Sequence, residues 1–203
     1  KYKETLLRKI IFAILFGLFN SIKLFYILSI IRSTLSIEKL CNENNIKVVV
    51  TDNLNNLKNI KIIKSTKSDL IINLNVMKLI NKKFLKKINF KLINFHPGIL
   101  PKYRGLYSTF HKIINQEKYF GVSSHFMAEK IDSGPIISII KKKIDGKSLF
   151  DCYSIIYKKL IFDLFNKTLK NHKKNLFYKK KNNYMIYKTP DFFQILKYKI
   201  ITF

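Results

Sequence analysis

Short apolar runs of strand length recur along the middle of the chain, each followed by a turn and then by a stretch with helical spacing. IKVVV (46–50), DLIINL (69–74) and KLINF (91–95) are continuous rather than alternating in polarity. Continuous runs are the mark of strands covered on both faces. Between and after them, SIEKLCNENN (36–45), NKKFLKK (81–87) and YSTFHKIIN (107–115) have helical character, the first with Ser36 at its entrance and Glu38 in the first turn. FGVSSHFM (120–127) and IISII (136–140) predict two more strands. A long helix is predicted over 148–171, where Ser148 and Asp151 have capping-box spacing. Strands alternating with helices predict an α/β domain whose sheet is parallel or mixed, with helices on both faces. Ligands of such sheets sit beyond the carboxyl ends of the strands.

The 203 residues suit one domain with its own core, and 47% apolar content excludes a disordered chain. The charge is extreme: 39 Lys and Arg against 12 Asp and Glu, a formal +27. The excess is nearly all lysine, spread over the whole length among many Asn and Ile, with arginine only at positions 8, 32 and 104. That spread fits compositional drift better than a selected nucleic-acid face, and nucleic acid is not the expected partner. Cys41 and Cys152 have no C-x-x-C spacing or clustered histidines, so neither a zinc site nor a disulfide framework is expected, and a reducing, cytoplasmic setting is. The most apolar stretch, 10–31, is interrupted by Asn20, Ser21 and Lys23. It favours a helix packed on a sheet, ahead of an in-plane membrane helix and then a true span, which keeps contact of residues 1–35 with a membrane surface open. The chain opens on Lys1, not Met, and the expectation is that an initial strand is missing.

The run KLINFHPGILPKYRG (91–105) does what a core strand has no reason to do: Asn94 and His96, two apart, project from one side of the strand end, and Pro97 stops the ladder. A carboxamide donates without changing charge, and an imidazole can donate, accept or move a proton near neutrality. Together they suit a developing oxyanion. Asp132, in the turn EKIDSGPI (129–136), is a candidate to orient the imidazole, although an acid there is also an ordinary turn-former. His125 on its strand is expected to be hydrogen-bonded and structural, and His111 and His172 to face solvent.

The combination NFHPGILPKYRG followed by GVSSHFMAEKIDSGPII resembles the folate-dependent formyltransferase family, which acts on glycinamide ribonucleotide, methionyl-tRNA or sugar-nucleotide amines. The matching positions are Asn94, His96 and Pro97; Leu100, Pro101, Tyr103 and Gly105; Gly121, Val122 and His125; Asp132 and Gly134. SDLIINLNVMKLINKKFL upstream is similar to one wall of the family's folate pocket, and the likeness covers about residues 36–170. It implies a Rossmann-like formyltransferase fold with a mixed, mostly parallel sheet. The organisation expected is an apolar helical segment at 1–35, a catalytic domain at 36–172 and a basic, aromatic extension at 173–203 that wraps the surface. It further implies a catalytic trio of Asn94, His96 and Asp132, with Asp132 raising the pKa of His96, and 10-formyltetrahydrofolate as co-substrate without a metal. The folate would be held by Met77, Lys78, Leu79, Ile80, Asn94, Ala128, Glu129, Lys130, Ile131 and Asp132. Tyr103 and Arg104 would face the acceptor, although Arg104 could equally tie down its own loop.

The chain departs from the family in its first 35 residues, which show no acceptor-binding strand and loop, and at Gly98, where serine is frequent in the purine and tRNA branches. These departures, the YRGLYST loop and the short tail rank a sugar-nucleotide amine first as acceptor, then glycinamide ribonucleotide, then methionyl-tRNA. A non-catalytic, degenerate domain that binds folate or a partner is the alternative of another class.

Overall fold

The structure, a computed structural model, describes residues 17, 37–74, 80–88, 91–177 and 184–202. The apolar stretch 10–31 apart from Gly17, the helix entrance at Ser36 and the predicted folate contacts Met77, Lys78 and Leu79 lie outside the described residues. Two compact units are present, residues 1–54 and 55–203. In the first, α1 (Ile37–Glu43) closes on a turn in which the Ile46 amide donates to the Cys41 carbonyl, 2.7 Å. The β-branched run 46–50, predicted as a strand, is not one. Strand propensity describes fit to a pleated surface and cannot act without a partner, and no described strand pairs with these residues.

The second unit is built on a four-stranded sheet of order β1-β2-β4-β5, from β1 (Leu70–Leu74), β2 (Lys91–His96), β4 (Tyr119–Phe126) and β5 (Ile136–Lys143). It is mixed: β1 and β2 run parallel, and β2–β4 and β4–β5 are antiparallel. On the Leu92 face, α2 (Leu57–Ser65) and α3 (Lys82–Lys87) bring Ile60 and Phe84 against Leu92 and Ile88. Each helix starts on an asparagine whose side chain caps amides of the first turn: Asn56 those of Lys58 and Asn59, Asn81 that of Phe84. Helix α2 had no counterpart in the sequence reading.

The opposite face is covered by the long helix, which runs as α5 (Leu149–Ile155), a π turn over Ile156–Leu160 and α6 (Ile161–Lys173). The expected capping box at Ser148 and Asp151 is formed. Phe95 of β2 meets Phe165, ring centroids 6.1 Å apart, and Thr168 donates to Ser124 across 2.6 Å. Alternation on β2 therefore sends Phe95 into packing and leaves Asn94 and His96 on the Leu92 face, beyond the end of that apolar cluster.

The C-terminal extension does more than wrap a surface. β6 (Ile186–Tyr187) pairs in parallel with β3 (Arg104–Gly105), and α7 (Phe192–Thr202) buries Ile195 and Tyr198, the latter against Phe110 of α4 (Ser108–Ile114). His111, expected to face solvent, is 2% exposed, because its ring lies 4.4 Å from that of Tyr187 and its Nε2–H donates to the Lys188 carbonyl. Among the described residues no helix is long and apolar enough to cross a membrane.

Candidate active site

Asn94, His96 and Asp132 meet. The strand end of β2 delivers the first two, and the turn between β4 and β5 delivers the third. Asp132 stands at φ 47°, in the left-handed region that Asp tolerates better than most residues. Its Oδ2 accepts from the Gly105 amide at 2.9 Å and lies 3.4 Å from His96 Nδ1. Its Oδ1 lies 3.4 Å from Asn94 Nδ2 and 3.4 Å from His125 Nε2. One carboxylate thus ties the strand end to the loop 97–107.

The polarity of this network is fixed by its ends. His125 Nδ1–H donates to the Phe126 carbonyl at 2.8 Å, and in that tautomer Nε2 accepts from Asn94 Nδ2 at 3.1 Å. With its amide nitrogen on that side, Asn94 turns Oδ1 to β1, where Asn73 Nδ2 donates to it at 2.7 Å. Asn73 is buried and stands directly opposite Asn94 in the parallel register. Sequence reasoning missed it, though it is the one polar side chain inside LIINL. A buried amide costs about 1–3 kcal/mol unless hydrogen-bonded, which was the available signal.

His96 is buried, and its Nε2–H donates to the Tyr103 carbonyl at 2.9 Å. Burial pushes its pKa below the ordinary histidine value, outweighing the upward pull of Asp132 and the Tyr103 carbonyl. This corrects the expectation that Asp132 sets a raised value: the pull exists, but desolvation is larger. Burial works to raise Asp132 as well, yet His96, His125 and the Gly105 amide together hold it well below the usual carboxylate range. Near neutral pH Asp132 is therefore the carboxylate of the pair. Gly98 makes room for that ring, since a Cβ there would fall 2.5 Å from His96 Nε2.

Tyr103 and Arg104 do not present an open acceptor surface. Arg104 is 2% exposed, and its guanidinium donates to the Ile131 carbonyl through Nε at 2.7 Å and through a second, short bond from Nη2. Tyr103 is stacked on Tyr187, centroids 5.1 Å apart, and donates from its hydroxyl to Glu117 at 2.8 Å. Both side chains are spent inside the protein, bracing the loop against the Asp132 turn and the C-terminal strand.

Of the expected folate contacts, Ile80 packs on the α2–α3 cluster beside Met127. Glu129 reaches back to α3 in an ion pair with Lys82 at 2.8 Å. Lys130 and Ile131 are exposed and Ala128 half-buried. A cleft of about 170 Å³ opens on the Leu92 face, lined by Leu85, Ile88, Lys91, Leu92, Phe126 and Met127. Leu92 and Asn94 share that face about 7 Å apart along the strand.

An amide, an imidazole and a carboxylate are thus gathered at the carboxyl end of a strand in an α/β sheet. The profile of the formyl transferase family matches residues 35–149, more than half of the chain, and the chain belongs to that family. It is 34% identical over 137 residues to the bifunctional polymyxin resistance protein ArnA of Wigglesworthia glossinidia brevipalpis (66% of this chain, 20% of that protein). It is 27% identical over 154 residues to methionyl-tRNA formyltransferase of Finegoldia magna (74% and 49%). The chain thus spans half or less of these relatives. Its fold is shared with WlaRD, a sugar 3N-formyl transferase solved in the presence of dTDP and 5-N-formyl-THF, at a TM-score of 0.57 and 24% identity over 82% of this chain and 62% of that one.

Proposed function

We propose that the chain transfers a formyl group from 10-formyltetrahydrofolate to a primary amine, with a sugar-nucleotide amine as acceptor. The observation that carries this is the meeting of Asn94, His96 and Asp132 at the end of β2. Family membership narrows the reaction, and the acceptor class is read from the YRGLYST loop and Gly98. A cytoplasmic setting is part of the same reading.

The folate would supply the formyl carbon and the nitrogen that leaves it. Its ring would lie against the cleft at Leu92 and Met127, with the main chain of 128–131 along one edge. At about 170 Å³ the cleft is smaller than the roughly 300–1,000 Å³ of a full ligand pocket, so it takes only part of such a molecule. When the amine attacks, the formyl oxygen gains negative charge, and Asn94 Nδ2–H is the neutral donor placed for it. One well-placed donor of this kind is worth about 3–4 kcal/mol of barrier. The amine must also lose a proton. The Asp132–His96 pair takes it up as a unit, since a proton on His96 Nδ1 would face Asp132 Oδ2 across 3.4 Å while Nε2–H stays anchored on Tyr103. That proton passes through water to the departing folate nitrogen as its bond to the formyl carbon breaks.

The test is formyl transfer by the full chain, followed as the mass gain of the acceptor, against a panel of amino-sugar nucleotides, glycinamide ribonucleotide and methionyl-tRNA. His96→Ala and D132N should each lower a measurable rate at least a hundredfold. An unchanged rate in either would reject the mechanism, and a preference for another panel member would replace the acceptor.

A further inference from the structure

Asn94 can donate to an oxyanion only if its carboxamide stands the right way round, and an amide turned by 180° presents oxygen where nitrogen is needed. Burial alone does not choose between the two. We infer that Asn73 secures the orientation that the neighbours Asp132 and His125 select: it is a positioning residue that holds Asn94 with Nδ2 directed at the Asp132–His125 side. The inference rests on the formyl-transfer reading for its catalytic consequence, but its geometry stands without it.

Parallel pairing puts Asn73 and Asn94 side by side on one face of adjacent strands, and the 2.7 Å bond runs from Asn73 Nδ2 to Asn94 Oδ1. On the far side, Asn94 Nδ2 meets two acceptors, His125 Nε2 and Asp132 Oδ1. Reversing the Asn94 amide would set its oxygen against the Asp132 carboxylate, and would break the bond at β1 unless the Asn73 amide turned with it. The acceptors pull one end and Asn73 holds the other. Because the Asn94 nitrogen must release one of those acceptors to engage a substrate oxygen, the hold at Asn73 is the one that persists during the reaction. An apolar residue at 73 would complete LIINL as a buried strand equally well, so the amide there has no packing reason.

The experiment uses the full chain, with N73L keeping the bulk, N73A in case leucine does not fit, and N94A as reference. Expected for N73L is a kcat lowered at least tenfold, bounded by the roughly 10²–10³-fold that loss of a whole oxyanion donor costs, with KM for the formyl donor within twofold. In the N94A background the same substitution should cost nothing more, which a merely structural role would not give. The side-chain ¹⁵NH2 resonances of Asn94, assigned by their loss in N94A, should shift and exchange faster in N73L. A wild-type kcat with unmoved resonances, or losses that add in the double variant, overturns the inference. If the wild-type chain transfers no formyl group, the functional reading fails and the resonances alone decide the orientation.

Discussion

Gly105 is where the C-terminal strand, the loop and the carboxylate meet, and Gly105→Ala tests whether they are coupled. The residue stands at φ 89°, and a Cβ built on it would lie 2.3 Å from the Tyr187 carbonyl oxygen and 2.9 Å from Ile186 Cγ2. Holding an L-residue in the left-handed region costs about 1–2 kcal/mol. The 2.3 Å approach to backbone is not one that atoms tolerate, so β6 must move, and the Leu106 amide loses its 2.9 Å bond to Tyr187, worth about another 1 kcal/mol. The sum is roughly 2–3 kcal/mol, or about 4–12 °C in Tm for a chain of this size. The same shift moves the Gly105 amide away from Asp132 Oδ2, and a misplacement near 1 Å at a reacting group costs on the order of 100-fold. Calorimetry and the formyl-transfer assay on one preparation measure both. A Gly105→Ala chain that melts within 1 °C of wild type, or one that melts early with its full rate, would refute the coupling argued here.

R104K separates bracing from acceptor binding: lysine cannot reproduce the guanidinium fork on the Ile131 carbonyl, so kcat should fall about tenfold or more while KM for the acceptor changes little, and a selective rise in that KM would restore the acceptor-facing role. For pH, His96 and His111 both have folded pKa values below their unfolded ones, so the unfolded chain binds more protons below about 6.5 and stability falls with falling pH from there, by at most about 1.4 kcal/mol per pH unit for each. Melting curves from pH 8 to 5 should slope accordingly, and His111→Phe should reduce the slope; a flat profile would contradict the burial of both rings. Asp132, whose folded value lies below its unfolded one, contributes stability above about pH 4 that is lost only in stronger acid.

Local chemistry written along the chain was enough for the strands at β1, β2, β4 and β5, for the capping box that starts the long helix, and for the candidate trio. Period-2 geometry puts Asn94 and His96 on one side wherever the strand ends, and the spacing of motifs carried the family. The run 46–50 shows the limit, because a β-branched segment becomes a strand only when another strand offers its hydrogen bonds. Which way Asn94 faces, that Arg104 is locked on Ile131, and that His96 is held low by burial rather than raised by Asp132 depended on neighbours brought from 21 to 38 residues away in sequence. Tyr187, from the far end of the chain, closes the loop that fixes Asp132. Residue types and periodicity act locally and can be recognised one segment at a time; desolvation and hydrogen-bond polarity belong to the assembled surroundings of a side chain, and only the folded structure supplies those.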